Sequence, residues 1–432
     1  MQIEELKAIV EEGKLNDRLK TIYVDEKVIQ AQRTRILKAV DEYHKNFSEN
    51  DISLFSSPGR SEISGNHTDH QHGMAVAAAV NLDVLCAASP NGSSNVCVIS
   101  EGYEPFNVNI ENLKFSQGET GTTTSLIKGI LKGMKEEGRE IGGFNCYMTS
   151  SVLQGSGLSS SAAFENALGT IVNCFFNEGK IHPTEIAKIS KFAENVYFGK
   201  PSGLLDQIAS STGGLIKIDF KDPENPEVNK LDVDFEQFGT SLCIVDTKGS
   251  HADLTDEYAA ITKEMKTVAE FFGKTHLRSV NPDDFYANIP ELRKKCTDRA
   301  ILRALHFFNE EENVTKAVEN LEKKNFQTFL HFIKASGNSS YKFLQNIYST
   351  KYPENQNLSL ALAVSDHILQ NEKGAALRKG VCRVHGGGFA GTIQAFVKND
   401  FVQTYKTEIE KVFGPGSCYI LKIRPEGSVK II

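Results

Sequence analysis

Apolar positions in the first 48 or so residues fall at helical spacing. Leu6, Ile9 and Val10, then Val28, Ile29, Ile36, Leu37 and Val40, recur between charged residues. The pattern predicts a helical extension over 1–48. After the polar stretch SENDI comes SLFSSPGR, where Pro58-Gly59 is expected to end whatever precedes it. MAVAAAVNLDVLCAAS (74–89), the turn Pro90-Asn91-Gly92 and the β-rich run NVCVIS predict strand, turn and strand. A helix follows over about 122–137, with Leu126, Ile127, Ile130 and Leu131 on one face. The strand FNCYMTSSV then runs into a Gly/Ser loop at 155–161. Beyond that loop, Phe164, Ala167, Leu168, Ile171, Val172 and Phe175 share a helical face. TEIAKISKFAENVY reads as a helix capped by Thr184, and TGGLIKIDF as a turn and a strand.

The acidic, Pro-containing stretch KDPENPEVNKLDVDFE (221–236) marks the neighbourhood of an interdomain connection. Beyond it lie the strand SLCIVDT, a mostly helical region over about 253–374, and the strands TIQAFV and CYILKI around a helix at 400–412. The expected class is α+β in two lobes, with an N-terminal lobe over 49–230 and a C-terminal lobe over 231–432. A chain of 432 residues fits that division, since it exceeds what one core usually serves.

Composition narrows the function classes. A net charge of −7 argues against a nucleic-acid partner, which requires clustered Lys and Arg. No stretch nears the roughly 20 consecutive apolar residues that span a bilayer, and the N-terminus lacks the apolar run of a signal peptide. Eight Cys without a CxxC pair are expected to be free thiols in a reducing cytoplasm.

Three loops carry candidate chemistry. Gln154-Gly155-Ser156-Gly157-Leu158-Ser159-Ser160-Ser161-Ala162-Ala163 is a glycine-rich turn feeding an amphipathic helix. Its glycines allow close backbone approach to an anion, and a helix N-terminus favours phosphate. A Ser-rich helix cap is the alternative. The stretch from Gly59 to Gly73 packs Arg60, Asn66, three His and Asp69 between glycines, which suits a polar cavity. Its order, His-x-Asp-His-x-His, fits no zinc pattern; an incidental solvated loop is the other alternative. Arg383-Val384-His385-Gly386-Gly387-Gly388-Phe389-Ala390-Gly391 sets three glycines before a strand. Taken alone it could be any tight turn.

Together, and in their order along the chain, the three loops resemble the galactokinases of the GHMP kinase superfamily. Gly199-Lys200-Pro201-Ser202-Gly203-Leu204-Leu205-Asp206-Gln207 is similar to that family's catalytic segment. The resemblance runs from about Ser53 to the C-terminus. It implies a two-lobed GHMP kinase fold with the active site in the cleft, and ATP-dependent phosphorylation of the anomeric hydroxyl of D-galactose. It further implies magnesium as the metal and a monomer taking sugar and ATP. Asp206 would accept or orient the sugar proton, with Arg60 stabilising the transferring charge; a surface salt bridge is the plain alternative for Arg60. Glu194 and Ser161 would hold magnesium. Gly155, Ser156, Gly157, Leu158, Ser159, Ser160 and Ser161 would cradle the ATP phosphates, with Ser100 at a further nucleotide contact. Asn66, His67, Thr68, Asp69 and Tyr258 would bind the sugar, although helix packing would equally account for Tyr258.

The chain departs from the family at two positions. Asn66 stands where galactokinases carry Glu, and His70 where Tyr is usual. Losing that negative charge makes galacturonate an alternative substrate, beside GalNAc and arabinose. A non-catalytic sugar sensor is a second class of reading, although it predicts damage to the phosphate loop or to Asp206, and both are intact.

Overall fold

A computed structural model describes residues 1–152, 157–249, 254–370 and 378–432. Gln154, Gly155 and Ser156, named above for the phosphate loop, lie outside the described residues.

Two sheets organise the chain. The first holds β1 (Ser53–Ser64), β2 (Met74–Pro90), β3 (Asn95–Ser100), β4 (Phe106–Asn109), β5 (Phe144–Ser150), β6 (Leu215–Asp219), β7 (Glu227–Leu231) and, from the end of the chain, β12 (Val429–Lys430). Its main order is β12-β1-β2-β5-β3-β4, with β6 and β7 attached to β2. The second sheet holds β8 (Thr240–Asp246), β9 (Gly380–Val384), β10 (Thr392–Lys398) and β11 (Cys418–Leu421), ordered β11-β8-β10-β9 and antiparallel throughout.

The first sheet is covered on both faces, which explains why β1 and β2 show no polar alternation. Leu54, Leu85 and Tyr147 pack with the N-terminal helices α1 (Ile3–Glu11), α2 (Asn16–Tyr23) and α3 (Ile29–Asn46). Their neighbours Phe55, Cys86 and Met148 point the other way, into a core with α4 (Thr123–Glu136), α5 (Ser160–Phe176) and α6 (Pro183–Phe192). The period-2 direction of strand side chains thus divides adjacent apolar residues between two cores.

Four details differ from the sequence reading. Pro58-Gly59 does not end β1; the strand runs through it, and its register against β2 shifts between Pro58 and Arg60, the kind of irregularity that tolerates proline. The stretch 221–236 contains β7, paired with β6, so part of the expected connection belongs to the first sheet. β12 returns to pair with β1, so the last residues join the first sheet instead of the second. Finally, α6 starts at Pro183 and is capped by the His182 side chain, which accepts from Thr184 N–H; proline at a first helical position costs no hydrogen bond.

Candidate active site

Stretches of chain far apart in sequence meet around Arg60. From β1 its Nε donates to Asp206 Oδ1 at 2.6 Å and its Nη2 to Oδ2 at 2.5 Å. Nη1 reaches the carbonyl of Gly157, and the Arg60 amide donates to Leu158 O at 2.9 Å. Gly59 makes this approach possible, because a Cβ there would lie 2.8 Å from Leu158 O. Asp206 is the second residue of α7 (Leu205–Thr212), near the positive end of a helix. Ser159 sits at the cap of α5 in the left-handed region, with φ of 57°. Its hydroxyl does not cap that helix but donates to Asp206 Oδ2 at 2.7 Å. The first amides of α5 therefore keep no cap from Ser159, and an uncapped helix N-terminus favours an anion.

Burial pushes the Asp206 carboxyl up, but the charge and hydrogen bonds of Arg60, with that of Ser159, outweigh it and hold it below the usual range. Asp69 behaves in the opposite way: burial, with the nearby Asp206 charge, raises it. Asp69 Oδ1 accepts from His70 N–H at 2.9 Å. Its Oδ2 faces Gly203, where an added Cβ would come within 1.8 Å of it. Glycine at 203 is what lets the Asp69 turn close on the segment carrying Asp206.

The other expected sugar residues divide into two groups. His67 Nε2 bonds Gly387 O at 2.9 Å, and burial lowers its pKa to about 4. The ring is neutral at pH 7, so Nε2–H is the donor and Nδ1 stays an acceptor. Tyr258, in α8 (Thr255–Phe271), donates to Gly388 O at 2.9 Å and lies edge-on to Phe389. His67 and Tyr258 thus converge on the third glycine loop. Asn66 and Thr68, by contrast, are fully buried. Asn66 Nδ2 donates to Glu62 Oε1 at 3.0 Å and to Gly386 O at 2.7 Å, while its Oδ1 accepts from Asn346 Nδ2 at 2.8 Å. Thr68 Oγ1 bonds Met74 O at 2.7 Å and Gly65 O at 2.9 Å, closing its own loop. Neither presents a free polar atom to a ligand here. Nor is a carboxylate missing from this wall, since Glu62 lies against Asn66. Burial pushes Glu62 up to about 7 although Arg383 Nη2 stands 3.2 Å away.

At the phosphate end, Ser161 Oγ donates to Glu194 Oε1 at 3.2 Å, and Gln207 Nε2 donates to Glu194 Oε2 at 3.0 Å. Glu194 is buried and is the second residue of a π-helical turn, Ala193–Phe198, a geometry frequent at functional sites. Ser100 ends β3, in register with Met148 of the parallel strand β5, which leads toward the loop at 157–161. Among the described residues no group of three or more His, Cys, Asp or Glu side chains is placed to hold a metal ion. The histidines of the second loop do other work. His72 stacks on His276 at 3.7 Å, and His70 Nε2 is buried without a hydrogen-bond partner.

Sequence reasoning did not single out Glu62, Lys200 or His385 as site residues. His385 bonds Ser61 Oγ at 3.0 Å and Thr392 Oγ1 at 2.9 Å, tying the third loop to β1. Each lies inside a quoted motif, which was the available signal, but motif membership does not reveal a partner across the fold.

Known proteins resemble this chain in sequence and in fold. Residues 41–90 match the galactokinase galactose-binding signature, and residues 125–214 match the GHMP kinases N-terminal domain. A galactokinase of Streptomyces coelicolor is 27% identical over 360 residues, covering 83% of this chain and 88% of that protein. A galactokinase of Thermotoga neapolitana is 27% identical over 359 residues, covering 83% and 93%. Among solved structures, Lactococcus lactis galactokinase complexed with galactose superposes with a TM-score of 0.77 at 22% identity, over 91% of this chain and all of that one. A mevalonate kinase gives 0.59 at 15% identity, over 86% and 98%. The chain thus carries a GHMP kinases N-terminal domain and the galactokinase galactose-binding signature, on a fold it shares with galactokinase and mevalonate kinase.

Proposed function

We propose that the chain transfers the γ-phosphoryl group of ATP to the anomeric hydroxyl of D-galactose. The observation that carries this reading is the meeting of Arg60, Asp206 and Ser159 at the N-terminus of α5. In the reaction the anomeric oxygen forms a bond to the γ-phosphorus, the bond to the bridging oxygen of ADP breaks, and the hydroxyl proton leaves toward Asp206. A carboxylate held at low pKa is a weak base, so Asp206 orients the hydroxyl and takes the proton late. Arg60 keeps Asp206 ionised and faces the charge that develops on the transferring group. Asp69, His67 and Tyr258 bind the sugar, and the loop from Gly155 to Ser161 holds the phosphates, with Ser100 beside it.

Glu194 and Ser161 suit magnesium, which takes one or two protein oxygens and fills its other positions with phosphate and water. When bound, that ion neutralises phosphate charge. A cytoplasmic location and the lack of a nucleic-acid or membrane partner rest on composition, and a monomeric state rests on the resemblance to galactokinases. The eight Cys are free, and among the described residues no helix is long and apolar enough to cross a membrane.

The wall around Asn66 favours galactose over galacturonate. The Asn66 amide is committed to Glu62 and Gly386, so it offers no free donor to a C6 carboxylate. Sugar-dependent ADP release from purified protein tests this across galactose, galacturonate, GalNAc and arabinose. Galactose is expected to give the highest kcat/KM. Faster turnover of galacturonate would refute the assignment of substrate, and binding of a hexose without turnover of any would favour a sensor.

A further inference from the structure

Lys200 stands at the point where the metal would enter. Its Nζ lies 2.6 Å from Glu194 Oε1, the same oxygen that accepts from Ser161 Oγ. Glu194 is almost wholly buried, whereas the Lys200 side chain is about half exposed (56%). A buried carboxylate without a cation is costly, and this ammonium is the cation paired with Glu194. The Lys200 charge also bears on Asp206 and Glu165. The ammonium is therefore close enough to both Glu194 and Asp206 for its charge to act on each.

Its tether supports a change of place. The Lys200 amide is fixed to Glu194 O at 3.0 Å, and Ser202 to Asn195 at 2.8 Å, so the backbone is held while the side chain is free to swing. A divalent ion bound to Glu194 Oε1 and Ser161 Oγ leaves no room for Nζ on that oxygen, and like charges repel strongly in a site of low dielectric. The nearest new anion is then the nucleotide's terminal phosphate. An ammonium is a compact point charge on a flexible stem, suited to such a move.

We propose that Lys200 is a further catalytic residue: it neutralises Glu194 in the metal-free protein and shifts onto the γ-phosphoryl oxygens of ATP when magnesium takes its place. The ammonium stays protonated throughout, and no bond to it forms or breaks. This inference rests on the kinase reading above.

The test compares wild type, Lys200→Met and Lys200→Arg in two measurements: steady-state kinetics with galactose, and calorimetric binding of a non-hydrolysable ATP analogue with magnesium or with EDTA. Lys200→Met is expected to lower kcat about 10²-fold, a typical loss for one transition-state donor, with the sugar KM within about twofold of wild type. It should also weaken analogue binding with magnesium about tenfold, a single-charge effect, and change it less with EDTA, and Lys200→Arg should restore the magnesium-dependent binding. A Lys200→Met protein with kcat and analogue affinity both within about twofold of wild type would overturn the proposal. So would a fall in kcat accompanied by a lowered melting temperature and unchanged analogue affinity. Wild-type protein that phosphorylates no hexose would sink the kinase reading instead, and the analogue titration would still decide the role of Lys200.

Discussion

Asp83 and Asp206 are both drawn below the usual carboxylate range by arginine despite burial, yet they occupy very different surroundings. Asp83 has no exposed surface. Its Oδ1 takes Arg35 Nη1 at 2.5 Å, and its Oδ2 takes Tyr23 Oη at 2.8 Å and the Ser56 hydroxyl, with Arg424 Nη1 at 3.7 Å. Those partners come from α2, α3, β1 and the segment before β12, so Asp83 joins the N-terminal helices, the first sheet and the chain's end. Asp206 is gripped by Arg60 and Ser159, but about a third of its side chain stays open (33%). A low pKa alone therefore does not separate a structural carboxylate from a reactive one; the open edge does, because a substrate hydroxyl needs a free lone pair.

The difference can be broken from either side. Asp206→Ala should give the largest effect, a loss in kcat of about 10⁴-fold, or roughly 5 kcal/mol, with a melting temperature close to wild type. A drop of less than tenfold would erase the distinction. Asp83→Ala should do the reverse. It leaves the Arg35 and Arg424 charges uncompensated, which costs about 3–5 kcal/mol of stability by denaturant titration, while kcat per folded molecule holds near wild type in the cold. A substantial fall in kcat there would make Asp83 part of the reaction.

Acid should separate the two in a further way. Asp83 has a folded pKa below its unfolded value, so its contribution is complete above about pH 4 and is lost as pH falls through the folded pKa. Asp83→Asn should flatten that acid loss of stability. Arg60→Met gives the smallest shift. Without the guanidinium the pKa of Asp206 rises, so the acid limb of kcat/KM should move to higher pH. An unmoved limb would mean that Arg60 does not set the charge of Asp206.

Much of this was legible in the chain. The glycine loops and helical periodicities are local signals that mark the stretches holding Arg60 and Ser159, whereas Asp206 and Glu194 stand out only through the resemblance to galactokinases. What escaped depends on distant pairing. Pro58-Gly59 reads as a stop, yet β2 holds β1 together across it. Two-residue β12 has no pattern of its own and exists through β1. Asn66 and Thr68 sit within a sugar-binding motif, but their side chains turn inward to close the loop, which only the neighbours Glu62, Gly386 and Met74 reveal. Lys200 looks like an ordinary loop charge until Glu194 is found beneath it.

The central claim is geometric: Asp206 aims the anomeric oxygen at a phosphate held by the tip of α5. Phosphorus and carbon NMR of the product made from ATP and galactose measures that aim directly. The account predicts one new phosphomonoester on C1 and an equal amount of ADP. Phosphate on any other carbon, or inorganic phosphate alone, would contradict it.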